Sequence, residues 1–383
     1  MLARRLPPIP WNSWVRVLHL ELVRAVQREF RQPHTEECPT MCTDFLITGT
    51  ASPGSNSFAV NGRSMEFGKD LNSQLMVHAV GESFQSKAPD NQQGMKWTSK
   101  YGFIGLTALS DTVLVDGLNT QGLSVGALWL PGSIYPKVTQ PSQALSLVDF
   151  VTWALGTCAT VADVKAALTG GSVQVWEGDL LAKLLPLHFP VHDAGGNCIV
   201  VEFTDGKLNV YDNPVGVCTN DPPFPMQLEN LGNYANLTPW DAKPAELGTQ
   251  KFSPSGHGSG MRGLPGDSTP PARFVRATYL KQYAQPVSNS ADATTLAFHL
   301  LNTVDIPLGT SRGVDKSGKD TVDYTQWAVV KDLTALTLSV RFYGNPLVYS
   351  VNLNTLDFSG AAGKQFPLPT TPTSIDLTAK LSS

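Results

Sequence analysis

What the sequence lacks narrows its function first. Its 28 Lys and Arg residues form no run or patch and the formal charge is −4, so the basic footprint of a nucleic-acid binder is missing. No window approaches the roughly 18 uninterrupted apolar residues of a transmembrane helix. Among the five cysteines, Cys38, Cys42, Cys158, Cys198 and Cys218, there is no Cys-x-x-Cys and no Cys/His pair at zinc-like spacing. Cysteine spacing therefore marks no zinc site. The seven histidines offer no marked general base. His78, His188 and His192 sit on strand-like segments, His299 on a helical one, His257 in a glycine-rich loop, and His19 and His34 precede residue 41. A papain-like Cys/His pair has no local signature here. No internal repeat is present.

What is there is a chain of 383 residues, 42% hydrophobic and 16% charged, enough for one large domain or two ordinary ones. Glycine and proline are plentiful but dispersed, as in a turn-rich, β-containing enzyme. Residues 1–41 read as a separate unit. "WVRVLHLELVRAVQREF" has helical spacing of apolar residues and "RQPHTEECPT" reads as linker. Arg16, His19, Glu21 and Arg24 interrupt any export-signal core, and no small-residue cleavage site follows.

From Cys42 the pattern changes. "CTDFLITG" and "NSFAVNGRSMEF" read as strands separated by the turn "TASPGSNS". "DTVLVDGLNTQGLSVGALWL" reads as two strands joined at Asn119 to Gly122. "SLVDFVTWALGTCATVADVKAAL" is helical with a break near Gly156-Thr157. "LHFPVHDAGGNCIVVEFTDGKLNVYDN" is a run of strands. "PARFVRATYLKQYA" and "NSADATTLAFHLLNTV" are helical, and "TQWAVVKDLTALTLSVRF" and "PLVYSVNLNTL" return to strands. This order supports an α+β fold, with a domain over 42–360 and a loose tail over 361–383.

Two pattern matches lead nowhere. "GTSRG" around Ser311 fits Gly-x-Ser-x-Gly, but a nucleophile elbow needs a strand before and a helix after. "GSGMRG" at 258–263 fits Gly-x-Gly-x-x-Gly without a preceding strand or following helix, so it reads as a loop.

Cys42 carries the chemistry if it is the first residue of the active chain. Its own α-amine, with an ordinary pKa near ~7.7–8, then suits a general base for its thiol. A residue left in front would turn that amine into an amide. The motifs "MCTDF", "NGRSMEF", "VGVCTNDPPFPMQLENLGNY" and "GLPGDSTPPARFVRA", with "KWTSKYGFIGL", "DGLNTQGLSVGALWLPG" and "DYTQW", resemble the choloylglycine hydrolase and penicillin V acylase family, N-terminal-nucleophile amidases. The resemblance runs from Cys42 to about residue 355.

The resemblance implies a four-layer αββα sandwich and a set of roles. Cys42 matches the nucleophile and Arg63 an arginine beside the thiol, where a cation favours thiolate. Glu66 falls where the family has an aspartate contacting the nucleophile's α-amine. Asn220 matches an oxyanion-hole donor, with the backbone N–H of Trp129 as the second. Arg273 matches an arginine supporting the nucleophile's surroundings. Taken singly, the arginines read as ion-paired, Asn220 as a turn residue, Trp129 as a core or pocket aromatic, and Cys42 as structural. Their joint order raises them.

The implied activity is hydrolysis of a linear, non-peptide amide through a thioester, a mechanism that requires no metal and no cofactor. Trp129 and "NDPPFPMQLENL" look more like the penicillin V acylases of Gram-negative bacteria than the bile salt hydrolases. Penicillin V or a related N-acyl amide, N-acyl homoserine lactones included, is the expected substrate. Conjugated bile salts are the alternative, and an inactive binding protein on the same fold the non-enzyme one. The resemblance also implies a homotetramer. If translation starts at Met41 the protein is expected in the cytoplasm; by family analogy it would be periplasmic.

Overall fold

The computed structural model describes residues 41–50, 57–108, 110, 112–178, 186–314, 318–369 and 371–381. The helix and linker expected before residue 41, and most of the turn expected at 50–57, lie outside the described residues.

Two strands carry the start of the domain. β1, Met41–Thr50, and β2, Ser57–Phe67, are antiparallel in unbroken register from Met41 opposite Glu66 to Thr50 opposite Ser57. Every β2 residue from Phe58 to Glu66 is buried. A strand buried on both faces must lie between two covering layers. Gly62 stands opposite Phe45 in this pair. A Cβ there would come within 2.6 Å of the Phe45 ring, so glycine is what lets the strands close over it.

The first sheet runs in the order Val217–Cys218, β1, β2, Asp320–Asp332, Thr337–Phe342, Asn345–Asn352. The second runs Lys207–Asp212, Cys198–Thr204, Leu187–His192, Ser124–Gly126, Leu114–Asn119, Phe103–Thr107, Gln74–His78, Gln365–Pro367, with Leu128–Trp129 pairing onto Leu187–His192. Helix Pro270–Tyr283 packs on β1, and Ser290–Asn302 on β2 and Asp320–Asp332. Helix Phe150–Thr157 covers Leu114–Asn119 and Ser124–Gly126 of the other sheet. The result is two facing sheets with helices outside, sharing one continuous apolar cluster. A polar link crosses between the sheets. Asp44 of β1 meets His192 Nε2 at 2.5 Å, both buried, and accepts from Asn61 at 3.0 Å.

The expected strands and helices form close to their sequence limits. The break in the helical stretch falls at 158–160, where Thr160 and Asp163 make a capping box for Val161–Thr169. The tail differs from expectation at its start. Gln365–Pro367 pairs with Gln74–His78, because that strand would otherwise leave an open edge. Ser311 opens an edge strand, Ser311–Val314, and the 258–263 segment holds only a 3₁₀ turn. Neither supports the chemistry that its pattern suggests. No helix among the described residues is long and apolar enough to cross a membrane.

Candidate active site

The β1–β2 register builds the site. Cys42 stands opposite Met65 and Asp44 opposite Arg63. Cys42 is buried, and its Sγ has two polar neighbours, Met65 Sδ at 3.7 Å and Arg63 Nη2 at 3.8 Å. Among the described residues no histidine hydrogen-bonds this sulfur.

Arg63 is fully buried, with both Nη atoms engaged and Nε without a partner. Nη2 donates to the Ala127 carbonyl at 2.6 Å, and Nη1 to the Val115 carbonyl and to Asp116 Oδ2 at 3.0 Å. The Asp116 carboxylate also accepts from Lys331 Nζ at 2.5 Å. One anion from the second sheet thus serves two cations from the first, with no exposure at any of the three side chains. Trp327 lies under the guanidinium, 5.4 Å from ring centroid to Cζ.

Asn220 follows the short strand Val217–Cys218, and its amide orientation is set by its partners. Oδ1 accepts from the Cys42 N–H at 2.7 Å and from Arg273 Nη2 at 2.8 Å. Nδ2 donates to the Trp129 carbonyl at 2.7 Å. An amide oxygen facing two donors and a nitrogen facing a carbonyl leave one consistent assignment, with one Nδ2 proton uncommitted. Arg273, on helix Pro270–Tyr283, also donates to the Cys42 carbonyl and to Thr43 Oγ1 at 2.6 Å. It ties the backbone of Cys42 to the Asn220 side chain.

Glu66 lies one residue beyond Met65. Its Oε1 accepts from Thr325 at 2.9 Å, while Oε2 is buried without a partner. Burial lifts its carboxyl to about 7, against the pull of Arg273. Burial also pushes the Cys42 thiol above its ordinary value; Arg63 opposes this and Glu66 reinforces it. Contrary to the expectation from Arg63 alone, desolvation outweighs the cation while residue 41 is attached. The thiol then has a buried environment but no base, because the Cys42 nitrogen is an amide whose lone pair is delocalised into the peptide bond, and its N–H only donates, to Asn220 Oδ1.

A cavity opens at the sulfur. Cys42, Met65, Phe67, Leu71, Val115, Trp129 and Leu187 are among its lining residues, and Glu66 is the one ionisable carboxyl there. Its volume is about 40 Å³.

All six residues singled out in the sequence, Cys42, Arg63, Glu66, Trp129, Asn220 and Arg273, thus meet around one buried thiol. Trp129 enters through its carbonyl and its ring. Asp116, Lys331 and Thr325 were not foreseen. The signal for the first two was a charged residue inside an apolar strand, in "VLVDGL" and "WAVVKDL". The other three described cysteines are unbridged; Cys158 and Cys218 are buried, as their apolar runs suggest, whereas Cys198, in a similar run, is partly exposed at the start of its strand. Among the described residues no group of His, Cys, Asp and Glu is placed to hold a metal ion.

Comparison with known proteins gives the family. A family model for linear amide C–N hydrolases of the choloylglycine hydrolase family matches residues 42–365, beginning at the buried cysteine. A bile salt hydrolase/transferase of Clostridium perfringens is 29% identical over 325 residues, 82% of this chain and 94% of its own. A penicillin V acylase of Pectobacterium atrosepticum is 26% identical over 357 residues, 86% of each chain. The crystal structure of a variant conjugated bile acid hydrolase from C. perfringens superposes with a TM-score of 0.74 at 26% identity, over 88% of this chain and all of that one. These identities give no preference to the penicillin V acylase side.

Proposed function

The chain belongs to the choloylglycine hydrolase family of linear amide C–N hydrolases, and from that premise we propose that it cleaves N-acyl amides with an apolar acyl group, penicillin V or N-acyl homoserine lactones among them. The observation that carries this reading is the cavity wall at Cys42 Sγ, apolar in nearly every residue. Such a wall stabilises an aromatic or aliphatic acyl group by burial, by roughly 0.8 kcal/mol per methylene, and offers few partners to an acyl group bearing hydroxyls.

The active species in this reading begins at Cys42. Released from residue 41, the α-amine can take the thiol proton, which an amide cannot do. Met41 stands opposite Glu66 and is itself buried. Its departure leaves the new ammonium across the strand pair from Glu66, whose Oε2 has no partner. Two events would produce this start: removal of the single Met41 after initiation there, or cleavage of a longer segment.

The thiolate then attacks the amide carbonyl carbon. The uncommitted Nδ2 proton of Asn220 and the Trp129 N–H hold the oxyanion. The α-ammonium gives its proton to the leaving amine, and the C–N bond breaks to leave a thioester. Water, deprotonated by the same amine, cleaves the thioester and regenerates the thiol. Arg63 and Arg273 keep the sulfur, the backbone of Cys42 and the Asn220 amide in one rigid frame.

A second reading, conjugated bile salts, is favoured by the C. perfringens relative. One panel separates them: amine release from penicillin V, an N-acyl homoserine lactone and glycocholate by protein beginning at Cys42. Turnover of the first two above glycocholate supports the first reading. Glycocholate as the best substrate replaces it with the second. No turnover of any, with Cys42 unreactive to thiol reagents, leaves a binding protein.

A further inference from the structure

A second grouping of Cys, His and Glu lies beside the site, and the function described so far does not use it. His188, on strand Leu187–His192, and Glu202, on strand Cys198–Thr204, form a buried pair, Nδ1 to Oε1 3.0 Å. Cys218 Sγ is 4.0 Å from His188 Nε2. The arrangement resembles a thiol, a base and an orienting acid, but the atoms are otherwise engaged. His188 Nε2 lies 2.9 Å from the Thr219 carbonyl, which can only accept, so Nε2 bears the proton and cannot take one from Cys218. The sulfur's other contact is that same carbonyl, at 3.8 Å.

The pair grips a loop at both ends. His188 holds the carbonyl of Thr219. Glu202 accepts from the Phe224 N–H, at 3.0 Å to Oε1 and 3.2 Å to Oε2. Between these two anchors lie four residues, and the first of them is Asn220. Gln227 adds a longer contact to the Asn220 carbonyl at 3.3 Å. His188 is also opposite Leu128 in the strand pair that presents Trp129. That register is made by the His188 backbone, so the side-chain pair itself holds the Asn220 loop alone.

We propose that the His188–Glu202 pair is a positioning clamp for the oxyanion hole, fixing the loop from Thr219 to Phe224 so that Asn220 Nδ2 meets the developing oxyanion. This rests on the reading of Asn220 given above. Oxyanion donors act at about 2.7–3.1 Å, and a misplacement of about 1 Å can cost about 10²-fold in rate. The clamp acts through Asn220 and touches no reacting atom, so its loss lowers kcat while KM stays within about threefold.

A double-mutant cycle with Asn220 separates this role from a merely structural one. The enzyme beginning at Cys42 is assayed on whichever panel amide it turns over best. Asn220→Ala is expected to lower kcat by about 10²–10³, and Glu202→Ala by roughly 10–100-fold. In the Asn220→Ala background Glu202→Ala should change kcat by less than about threefold, because the group it positions is gone. An equal fall in both backgrounds overturns the clamp. A fall below about tenfold for Asn220→Ala alone removes the oxyanion role of Asn220 and the clamp with it. Glu202→Ala strands His188 and can fail to fold, so Glu202→Gln is the second variant. Its amide oxygen can still accept from Phe224 and its nitrogen can still donate to Nδ1. It should keep kcat within about threefold of the parent, with the same melting temperature to within a few degrees. A folded Glu202→Gln enzyme slowed tenfold or more also overturns the proposal.

Discussion

Asp116→Ala should destabilise the enzyme more than other single changes near the site, and the structure supplies the reason. The carboxylate sits between Arg63 Nη1 at 3.0 Å and Lys331 Nζ at 2.5 Å, all three side chains wholly buried. Removing it leaves two cations between the sheets. Arg63 keeps the carbonyls of Val115 and Ala127, but Lys331 loses its one charged hydrogen-bond partner. Burial already lowers the Lys331 pKa, with Asp116 the main opposing influence. Breaking a buried pair from one side costs about 3–5 kcal/mol. With an unfolding entropy of about 2.1 cal/mol/K per residue over about 340 residues, that is a fall of roughly 4–7 °C in Tm. The assay is thermal unfolding followed by circular dichroism, with kcat/KM measured in parallel. Replacing Lys331 by Met in the same chain removes the stranded ammonium and should recover part of the loss. A Tm within 1 °C of the parent, or no recovery from Lys331→Met, would show that the three charges are not coupled as the distances indicate.

Other expectations follow from the same geometry. Cys42→Ala should abolish amide hydrolysis with little change in Tm, and Cys42→Ser should be severely impaired because an alcohol is the weaker nucleophile near neutral pH; wild-type turnover by the alanine variant sinks the thioester mechanism. Trp129→Ala removes a ring from the cavity but keeps the backbone N–H, so it should widen substrate preference toward bulkier acyl groups; a uniform loss of kcat on every panel amide would contradict that division. Glu66 makes stability depend on pH. Its folded value of about 7 lies above the ordinary 4.5, so between these values the unfolded chain is ionised while the folded one stays protonated, and stability falls as pH rises, by roughly 3 kcal/mol in all. A chain retaining Met41 should show this slope in urea midpoints between pH 4.5 and 7.5, and a chain beginning at Cys42 a shallower one, because the ammonium favours ionised Glu66. Asp323, also raised, acts alike in both; equal slopes would rule out the contact between Glu66 and the amine.

Much of this molecule was legible without coordinates. The strand-like runs "CTDFLITG" and "NGRSMEF", helical spacing in "PARFVRATYLKQYA" and the turn residues between strands are local properties, and local physics places them. The site residues were legible through the order of several motifs, although each alone has a plainer reading. What the sequence could not determine is whatever depends on two distant segments meeting. The orientation of the Asn220 amide comes from Cys42, Arg273 and Trp129, up to 178 positions away. The Asp116 bridge joins residues 53 and 215 positions apart, and its charges look anomalous in their strands until the sheets are stacked. The balance at Cys42 is the sharpest case. Sequence places an arginine nearby and predicts a favoured thiolate. Only the tertiary structure shows the burial that outweighs it, because desolvation is set by everything packed around a group and not by any one neighbour.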